Sequence, residues 1–587
     1  MSVAAWGRTR HGRCAALRLL VGVLVLACAR AEERPQPEAA TGYAPTPVAT
    51  GHRYMAVTAH PQATRAALSI LARGGSAVDA AIGAQLVLNV VEPQSSGIGG
   101  GGFLLHYEHA SGKVLVYDGR ETAPAAARSD RFLRADGSPL PFREAVTGAR
   151  AVGVPGLVAM LWQAHQAHGR LPWSELFQPA IALAEEGFTV SPRLHRLLAL
   201  DAALPRQPAA RALYYDAAGQ ALPVGSRVRN PALAEALRRI ARDGPGAFYQ
   251  GALAQRLVAA LRERSAQPDV PTLEDLAGYR AQVRPALCRP YRGHRVCSAP
   301  PPAGGLSVLQ LLGLLEQRPA ADPRTVPAIH RFAEAGRLVY ADRARYLADP
   351  DYVPVPVQGL LDAAYLAARA RLIDDEASLG RAAPGTPPDV APADLSPAAE
   401  GAERSATTHL TVVDAEGNAV ALTSSIEDAF GSRILVEGFL LNNQLTDFAF
   451  LPAIDGLPVA NRVEGGKRPL SAMSPTLVFD PQGRLMAVLG SPGGSRIINY
   501  VARAVSALID GRLPPDEVVA LPHVGSRNGP TELEVGRIPP TVAQALRERG
   551  HEVVFAEMTS GLALIVRTPE GWAGAADPRR EGLAAGE

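Results

Sequence analysis

The sequence lacks the features by which several large classes of protein are recognised. Its 59 lysine and arginine residues nearly balance its 57 aspartate and glutamate residues, so charge gives no reason to expect a nucleic-acid partner. It contains no H-E-x-x-H, G-x-S-x-G, Walker or C-x-x-C sequence. The common signatures of zinc peptidases, serine hydrolases, P-loop proteins and thioredoxin-like proteins are therefore absent.

The N-terminus has a basic start and an apolar run that is too short to cross a membrane. Four arginines precede L-L-V-G-V-L-V-L-A at residues 19–27, a pattern typical of a secretory signal peptide. We predict a signal peptide over residues 1–31 and export to the bacterial periplasm or cell envelope. Two alternatives remain: ordinary cleavage after A-R-A at 29–31, and a lipid anchor on Cys28, because V-L-A-C resembles a lipoprotein box.

Cysteine is scarce, with four residues in 587. Cys14 and Cys28 fall in the predicted signal peptide, whereas Cys288 and Cys297 flank R-P-Y-R-G-H-R-V, which is predicted to form a short hairpin. In an exported protein these two residues could form a disulfide across the hairpin. Two separate thiols are the alternative, because spacing does not fix the geometry that a disulfide needs.

The chain divides at a segment that is poor in large apolar residues. Residues 376–406 cannot bury enough surface to order themselves, and a loop of this length is unusual in a compact domain and often functional. We predict a disordered linker at 32–47, an N-terminal part at 48–406 that ends in this flexible linker, and a C-terminal part at 407–587.

Hydrophobic periodicity predicts an α+β fold in which helices cover sheets. The helix after Ser76 is apolar on nearly all faces and is therefore expected to be central. Ser76 and Asp79 have the spacing of a capping box. The predicted elements include helices over 62–73, 77–91 and 496–509, and strands over 54–58, 103–107, 408–414, 418–426, 476–480 and 484–490.

Two glycine-rich segments have different contexts. G-I-G-G-G-G at 97–102 follows a helix and precedes a strand, the reverse of a dinucleotide loop, which favours close backbone packing over nucleotide binding. S-P-G-G-S-R at 491–496 lies between a strand and a helix. Backbone N–H groups there could form an oxyanion hole, although a tight turn explains the same residues.

The loose segment ends against T-T-H at residues 407–409. A threonine hydroxyl is a weak nucleophile unless a base is adjacent, and an N-terminal threonine carries its own base in the α-amine. The unperturbed pKa of that amine is about 7.7–8.0, close to neutral pH. Thr407 can act in this way only if the chain is cut between Ala406 and Thr407. The alternative is that Thr407 is an ordinary β-branched strand residue.

Motifs along nearly all of the predicted exported chain resemble those of the γ-glutamyltranspeptidases, also called glutathione hydrolases. No single motif is specific, but together they are. They are G-G-S-A-V-D-A-A (74–81), V-E-P-Q-S-S-G-I-G-G-G-G-F (91–103), D-G-R-E-T-A-P (118–124), A-P-P-P-A-G-G (299–305), T-T-H (407–409), G-F-L-L-N-N-Q-L-T-D-F (438–448), K-R-P-L-S-A-M-S-P (467–475) and G-S-P-G-G-S-R (490–496).

The resemblance implies an N-terminal-nucleophile hydrolase fold, a four-layer αββα sandwich. It also implies self-cleavage into a large subunit, residues 48–406, and a small subunit, residues 407–587, which stay associated. Thr407 matches the family's nucleophile and the first residue of its small subunit. The implied reaction forms an acyl-enzyme that water or an acceptor amine resolves, and it requires no metal or organic cofactor.

The resemblance also assigns groups that bind the substrate. Arg120 matches the residue that holds the substrate α-carboxylate, a role that suits the guanidinium fork. Gln444 and Asp447 match residues around the α-amino group. Gly493 and Gly494 match the oxyanion hole.

Three nearby positions vary or depart from the family pattern. Ser425 stands where many members have threonine, so a hydroxyl is kept. Glu427 stands where some members have asparagine and others have glutamate, and either side chain can accept a hydrogen bond. Ser471 is retained, but Ala472 lacks the second hydroxyl of the family motif. That loss could weaken or relax γ-glutamyl recognition, because a hydrogen bond to a charged group contributes about 1.5–3 kcal/mol.

Two other functions stay open. Some members of the family are acylases that cleave glutaryl-type side chains, which lack the α-amino group, and the loop at 449–466 lacks the tyrosine of members with an active-site lid. The other alternative is an inactive, surface-anchored binding protein. The presence of a nucleophile, oxyanion donors and a carboxylate clamp favours an enzyme that acts on γ-glutamyl compounds.

Overall fold

The computed structural model describes residues 42–265, 269–391, 396–399 and 406–587. The predicted signal peptide and Cys28 lie outside the described residues, as does most of the predicted linker at 32–47. Its last residues carry no helix or strand, and the backbone N–H of Ala44 donates to the carbonyl of Pro578 at 2.9 Å. No helix in the described ranges combines the length and hydropathy that a membrane span needs.

Most of the α-helices lie in the N-terminal part, and the last three lie in the C-terminal part. In the described part of the chain they are α1 (Pro61–Ala72), α2 (Ala77–Val91), α3 (Phe142–Ala145), α4 (Leu157–His168), α5 (Trp173–Leu176), α6 (Gln178–Glu186), α7 (Pro192–Leu200), α8 (Pro208–Tyr214), α9 (Pro231–Asp243), α10 (Gly246–Tyr249), α11 (Gly251–Glu263), α12 (Leu273–Gly278), α13 (Gly305–Glu316), α14 (Val326–Tyr346), α15 (Val357–Leu360), α16 (Ala363–Ala370), α17 (Ile497–Ile509), α18 (Pro515–Ala520) and α19 (Pro540–Glu548).

Strands come from both parts of the chain. Among the described residues they are β1 (Ala49–Gly51), β2 (Met55–Thr58), β3 (Gly101–Tyr107), β4 (Val114–Asp118), β5 (Phe188–Thr189), β6 (Arg227–Val228), β7 (Gln282–Pro285), β8 (Leu287–Tyr291), β9 (His294–Ser298), β10 (Ala406–Val413), β11 (Ala419–Glu427), β12 (Leu435–Val436), β13 (Phe439–Leu440), β14 (Ala453–Ile454), β15 (Leu457–Pro458), β16 (Thr476–Phe479), β17 (Leu485–Gly490), β18 (Val524–Ser526), β19 (Thr531–Glu534), β20 (Val553–Ala556), β21 (Ala563–Thr568), β22 (Gly571–Ala576) and β23 (Leu583–Gly586).

Within the described residues, two seven-stranded antiparallel sheets form the centre of the fold. Sheet I has the order β23-β2-β10-β11-β3-β4-β7, and sheet II has the order β1-β22-β21-β17-β16-β9-β8. The sheets pack face to face; α1, α2 and α4 cover sheet I, while α13, α17 and α18 cover sheet II. This arrangement is the predicted αββα sandwich. Strands β10 and β11 lie at the centre of sheet I, buried on both faces.

Local sequence explains how α2 becomes the central helix. The Ser76 side chain accepts from the backbone N–H of Asp79, and the Asp79 carboxylate accepts from the N–H of Ser76, so the predicted capping box is confirmed. Every residue of α2 is buried, in agreement with its apolar character on all faces. The helix ends at the glycine-rich segment, whose backbone packs closely.

The glycines at 97–102 allow their backbone to pack closely against other segments. This close packing was predicted because the glycines follow a helix and precede a strand. A Cβ atom on Gly99 would overlap the carbonyl of Leu440, and one on Gly100 would overlap the carbonyl of Ser425. Glycine is therefore required here by close packing against β11 and β13.

Two further predictions concern the hairpin and the flexible segment. Cys288 on β8 faces Cys297 on β9, with their Cα atoms 4.0 Å apart, and the two form a disulfide.

Residues 376–391 carry no helix or strand, but they are bound to the body of the fold, which departs from the expected flexibility. For example, the N–H of Leu379 donates to the Glu334 carboxylate at 2.7 Å. Buried polar side chains such as Glu334 thus add to the few apolar contacts that Leu379, Ala382 and Val390 make with the hydrophobic clusters.

Candidate active site

The alternation of side chains along β10 determines which way Thr407 faces. Leu410 and Val412 pack in the core beneath the helices that cover sheet I, whereas Val413 packs in the core between the sheets. Thr407 shares the parity of Val413, so its side chain is directed at sheet II. Its partner across the ladder is Ser425 on β11, which places two hydroxyls side by side.

The bond between Ala406 and Thr407 lies in an irregular part of this ladder. Ala406 pairs with Glu427 and Thr407 pairs with Ser425, so β11 carries one extra residue at this point. Such a bulge re-aims the flanking side chains. Glu427 has φ of 79°, a left-handed conformation that is uncommon for a residue with a side chain.

Ser425 links the groups on both sides of that bond. The Thr407 hydroxyl donates to Ser425 Oγ at 3.3 Å, and the Ser425 hydroxyl donates to the carbonyl oxygen of Ala406 at 2.9 Å. Ser425 Oγ also accepts from the backbone N–H of Glu427 at 2.8 Å. A hydroxyl thus lies beside the nucleophile candidate while a hydrogen bond polarises the carbonyl of the bond predicted to be cut.

A glycine turn approaches the same place from sheet II. Gly493 and Gly494 have φ of 139° and 55° and link β17 to α17 through a single 3₁₀ turn. A Cβ atom on Gly493 would overlap the Tyr500 ring, so this residue must be glycine. Within the described residues, neither glycine donates its backbone N–H to another group. The Gly494 N–H is available to stabilise an oxyanion.

Arg120 is fully buried behind the cleft and is held by a carboxylate and two carbonyls. Its Nη2 donates to Asp447 Oδ2 at 2.5 Å and to the carbonyl of Leu470 at 2.7 Å, and its Nε donates to the carbonyl of Pro469 at 3.0 Å. Gln444 donates from Nε2 to Asp447 Oδ2 at 3.2 Å. The structure therefore brings Arg120, Gln444 and Asp447 together.

Glu427 and Ser471 complete the polar end of the site. The Glu427 carboxylate accepts from Asn443 Nδ2 and, at 3.4 Å, from the hydroxyl of Thr446. Ser471 is fixed by its backbone N–H, which donates to the carbonyl of Pro302 at 2.8 Å. These contacts hold both side chains at the rim of one cavity.

The predicted site residues converge on a narrow cleft of about 240 Å³. Most of them line it, as does Ala472, and the cleft also includes two apolar side chains, Met473 and Ile497, that sequence reasoning did not place there. The lining residues are Thr407, Ser425, Glu427, Gln444, Asp447, Ser471, Ala472, Met473, Gly494 and Ile497. Arg120 and Gly493 do not line the cleft; Arg120 reaches it through Asp447, and Gly493 shapes the turn that presents Gly494. The cleft therefore brings together two hydroxyls, from Thr407 and Ser425, the backbone of Gly494 and a cluster of polar side chains.

Sequence reasoning missed residues that act behind the cleft. Arg580 donates from Nη1 to the carbonyl of Thr407 at 3.0 Å and fixes the strand end. Thr408 donates its hydroxyl to Glu92 at 2.9 Å, and Glu92 pairs with Arg193 at 2.8 Å. Glu92 lies in the family motif at residues 91–103. Its partners come from distant segments, so the contact can be seen only in the folded structure.

Glu121, the neighbour of Arg120, was also missed. Its carboxylate is fully buried, with Oε2 3.6 Å from Arg120 Nη1. Burial raises the pKa of Glu121 to about 8, although Arg120 lowers it. Near neutral pH this carboxyl is therefore largely protonated and neutral. Asp447 is then the carboxylate that forms the ion pair with Arg120.

His409 is the imidazole nearest to Thr407 in sequence, but it is not placed as a base. It lies against Gly490 of sheet II, and its Nδ1 is 2.8 Å from the hydroxyl of Thr423. Burial lowers the pKa of His409 to about 3, so the ring stays neutral. Its role is to pack between the sheets and to support the strand.

Among the described residues, one cluster brings metal-binding side chains together away from the cleft: His330, Glu334 and His551. Its groups already have protein partners. His330 Nδ1 lies 2.7 Å from His551 Nε2, and Glu334 accepts from Arg337 Nε at 2.9 Å. A guanidinium on the carboxylate opposes a cation, so this cluster is explained as a hydrogen-bond network that joins α14 to the C-terminal part.

Known proteins match this chain over nearly its whole length. The family model for gamma-glutamyltranspeptidase matches residues 63–587. The glutathione hydrolase proenzyme of Escherichia coli strain K12 is 36% identical over 539 residues, which cover 89% of this chain and 90% of that protein. The acylase ACY 1 proenzyme of Pseudomonas sp. strain V22 is 37% identical over 535 residues, which cover 89% and 91%.

A solved structure shows the same architecture. The crystal structure of cephalosporin acylase from Bacillus halodurans superposes with a TM-score of 0.80 at 28% identity, and the match covers 92% of this chain and 97% of that chain.

Proposed function

Because the chain belongs to the γ-glutamyltranspeptidase family, we propose that this enzyme is a γ-glutamyl hydrolase and transferase whose nucleophile is Thr407. The observation that carries the proposal is the hydroxyl chain from Thr407 through Ser425 to the Ala406 carbonyl. It joins the nucleophile to the bond whose cleavage would release the α-amine of Thr407. The sequence predicted the residues, and their contacts now support the roles.

Maturation is the first proposed step. Thr407 Oγ1 attacks the carbonyl carbon of Ala406, its proton passes to the departing amide nitrogen, and the peptide bond becomes an ester. Ser425 stabilises the charge that develops on the carbonyl oxygen. Water then hydrolyses the ester, which leaves a carboxylate on Ala406 and a free amine and hydroxyl on Thr407.

Turnover uses the same hydroxyl with the released amine as its base. The amine of Thr407 takes the hydroxyl proton, directly or through water, and the oxygen attacks the γ-carbonyl of the donor. The Gly494 N–H, with that of Gly493 beside it, stabilises the oxyanion. The leaving amine departs with a proton, and water or an acceptor amine resolves the acyl-enzyme.

The polar end of the cleft supports an amino-acid head group as the substrate. Asp447, Glu427 and Gln444 offer oxygen acceptors, which suit an ammonium group. Ser471 offers a hydroxyl donor on the cleft wall, and the positive charge of Arg120 lies behind Asp447; both suit a substrate carboxylate at this end. A γ-glutamyl donor such as glutathione carries both charges at one end and the reactive amide at the other.

A second candidate substrate class is favoured by one position. Ala472 lines the cleft where the family motif has a second serine, and relatives named acylases match this chain as well as glutathione hydrolases do. A glutaryl-type acyl group keeps the terminal carboxylate but lacks the α-ammonium, so it would not need a hydroxyl that accepts a hydrogen bond from the ammonium. We therefore keep an amide acylase as the alternative.

We further propose that the mature protein is an exported heterodimer of the subunits 48–406 and 407–587. The Cys288–Cys297 disulfide suits an oxidising compartment. Strands β2 and β3 flank the pair β10 and β11 in sheet I, so the two parts share a sheet and would stay associated after a cut. For the N-terminus both alternatives stay in the proposal: cleavage after residue 31, or a lipid anchor on Cys28 that would retain the residues from 28 onward.

The test compares the wild-type protein with Thr407→Ala and Thr407→Ser. Scaled by length, wild-type protein cleaved after residue 31 should yield fragments of about 39 kDa for residues 32–406 and about 19 kDa for residues 407–587. It should cleave a γ-glutamyl anilide faster than a glutaryl anilide. Thr407→Ser keeps a hydroxyl and should still cut itself. Thr407→Ala should remain one inactive chain; its cleavage at Ala406 would contradict the proposed self-processing.

A further inference from the structure

A second cleft, rich in arginine, lies between α13, α14, α17 and the tip of the β8–β9 hairpin. It has a volume of about 440 Å³ and shares no residue with the active-site cleft. The charged side chains that line it are Arg292, Arg318, Arg331, Arg503 and Asp510. Four guanidinium groups therefore face one carboxylate.

Two of these arginines are paired within the protein. Arg292 Nε lies 3.1 Å from Asp510 Oδ1, and the same guanidinium caps carbonyls at the end of α13. Arg331 Nε lies 2.7 Å from the half-exposed carboxylate of Asp375. These contacts leave no carboxylate on the cleft wall for the other two arginines.

Arg318 and Arg503 instead donate to backbone carbonyls. Arg318 Nη2 donates to the carbonyl of Ile373 at 2.8 Å, and Arg503 Nη2 donates to the carbonyl of Pro323 at 3.1 Å. Neither guanidinium forms an ion pair within the described residues. A carbonyl satisfies an N–H donor but does not neutralise a full charge.

Arg503 is the more informative of the two, because it is only 4% exposed. Its Nε–H has no acceptor in the described part of the chain. Burial lowers the pKa of Arg503 to about 10, and Glu534 and Asp322 only partly oppose this effect. The guanidinium also lies over the ring of Phe332, 5.7 Å from its centroid, but a ring face does not neutralise the charge as a carboxylate would. Buried charges in proteins are normally paired, so an anion in the cleft would complete the partners of this side chain.

We propose that this cleft binds a small oxyanion, such as inorganic phosphate or the phosphate group of a monoester, with Arg318 and Arg503 as its charge partners. Guanidinium groups match the oxygen geometry of phosphate through paired hydrogen bonds. The amino end of the 21-residue helix α14 contributes Ala328 to the wall, and a helix amino end also favours an anion.

The cleft is lined by residues from both of the proposed subunits. Arg318 precedes the bond between Ala406 and Thr407, and Arg503 follows it. A bound anion would therefore bridge the two subunits, a consequence that rests on the proposed function, whereas the binding itself does not.

The experiment titrates the full, purified protein with sodium phosphate while potassium chloride keeps the ionic strength constant, and follows the apparent melting temperature. A parallel titration uses glycerol phosphate as the monoester. We expect a saturable rise with phosphate. If both compounds raise the apparent melting temperature, the site accepts phosphate monoesters. If only phosphate raises the melting temperature, the site binds the free ion.

Variants decide whether the arginines are responsible. Arg318→Gln should raise the half-saturating phosphate concentration about ten-fold or more, because it removes charge-assisted hydrogen bonds. Arg503→Met should do the same if it folds, and Arg318→Gln carries the test if it does not. Arg324→Gln is the matched control, since Arg324 is exposed and paired with Asp322. A non-saturable rise, no rise, or an equal loss in Arg324→Gln would overturn the proposal.

Discussion

Replacing Ser425 with alanine should separate self-cleavage from folding. In the uncut chain Ser425 Oγ donates to the Ala406 carbonyl at 2.9 Å, accepts from Thr407 Oγ1 at 3.3 Å and accepts from the N–H of Glu427 at 2.8 Å. Alanine removes all three contacts while it keeps the strand. The first two concern the reaction, and the third concerns the stability of the bulge.

The structure sets the size of each effect. Loss of one preorganised donor to a developing oxyanion slows acyl transfer by about 10²–10³-fold, and self-cleavage should slow by that order. Ser425 and Glu427 are both buried, so the N–H of Glu427 loses its acceptor at a cost of about 1–3 kcal/mol in the free energy of unfolding. The apparent melting temperature should fall modestly.

The assay follows the disappearance of the uncut chain by electrophoresis after rapid purification, together with a melting curve of each sample. Ser425→Thr is the control, because it keeps a hydroxyl at the same position and should process at a rate near that of the wild type. Wild-type processing in Ser425→Ala would refute the role given to this hydroxyl. Equal slowing in Ser425→Thr would point to packing instead.

Three other substitutions probe the polar end of the cleft. Arg120→Lys keeps the charge but loses the fork, so KM for a γ-glutamyl anilide should rise with a smaller change in kcat; unchanged kinetics in the processed variant would remove Arg120 from recognition. Only the γ-glutamyl anilide carries an α-ammonium, from which an added hydroxyl would accept a hydrogen bond, so Ala472→Ser should raise kcat/KM for this anilide about ten-fold and leave the glutaryl anilide unchanged. Equal gains with both anilides would contradict this contact, and a lower melting temperature without any gain would show that Ala472 serves packing alone. Because burial raises the pKa of Glu121 to about 8, Glu121 is neutral below that pH and becomes an anion above it. Wild-type KM for the γ-glutamyl anilide should therefore rise as pH increases through about 8, as ionised Glu121 competes for Arg120, whereas Glu121→Gln should show a flatter profile; identical profiles would contradict this role.

Elements with strong local signals could be predicted from the sequence. The predicted helices at 62–73 and 77–91 are observed at Pro61–Ala72 and Ala77–Val91, and the predicted strand at 408–414 is observed at Ala406–Val413. Their periodicity and caps are local properties, so one sequence is enough to predict them. The family and its N-terminal-nucleophile hydrolase fold are also confirmed by the comparisons, and these rested on the motifs taken together.

The rest depended on contacts between distant segments. The order of residues 376–391 comes from carboxylates and amides elsewhere in the chain, such as Glu334, which composition does not show. The position of Arg120 behind Asp447 and the link from Thr408 to Glu92 have the same origin. The residue types were predicted, whereas the partner of each group required the fold.

The most direct test of the central claim is the intact mass of the small fragment after reaction. Wild-type protein would be mixed with a γ-glutamyl anilide and quenched in acid within one turnover. The account predicts a fragment that begins at Thr407 and carries the mass of one γ-glutamyl group, located on Thr407 by fragmentation. A fragment that begins elsewhere, or an acyl group on another residue, would contradict it.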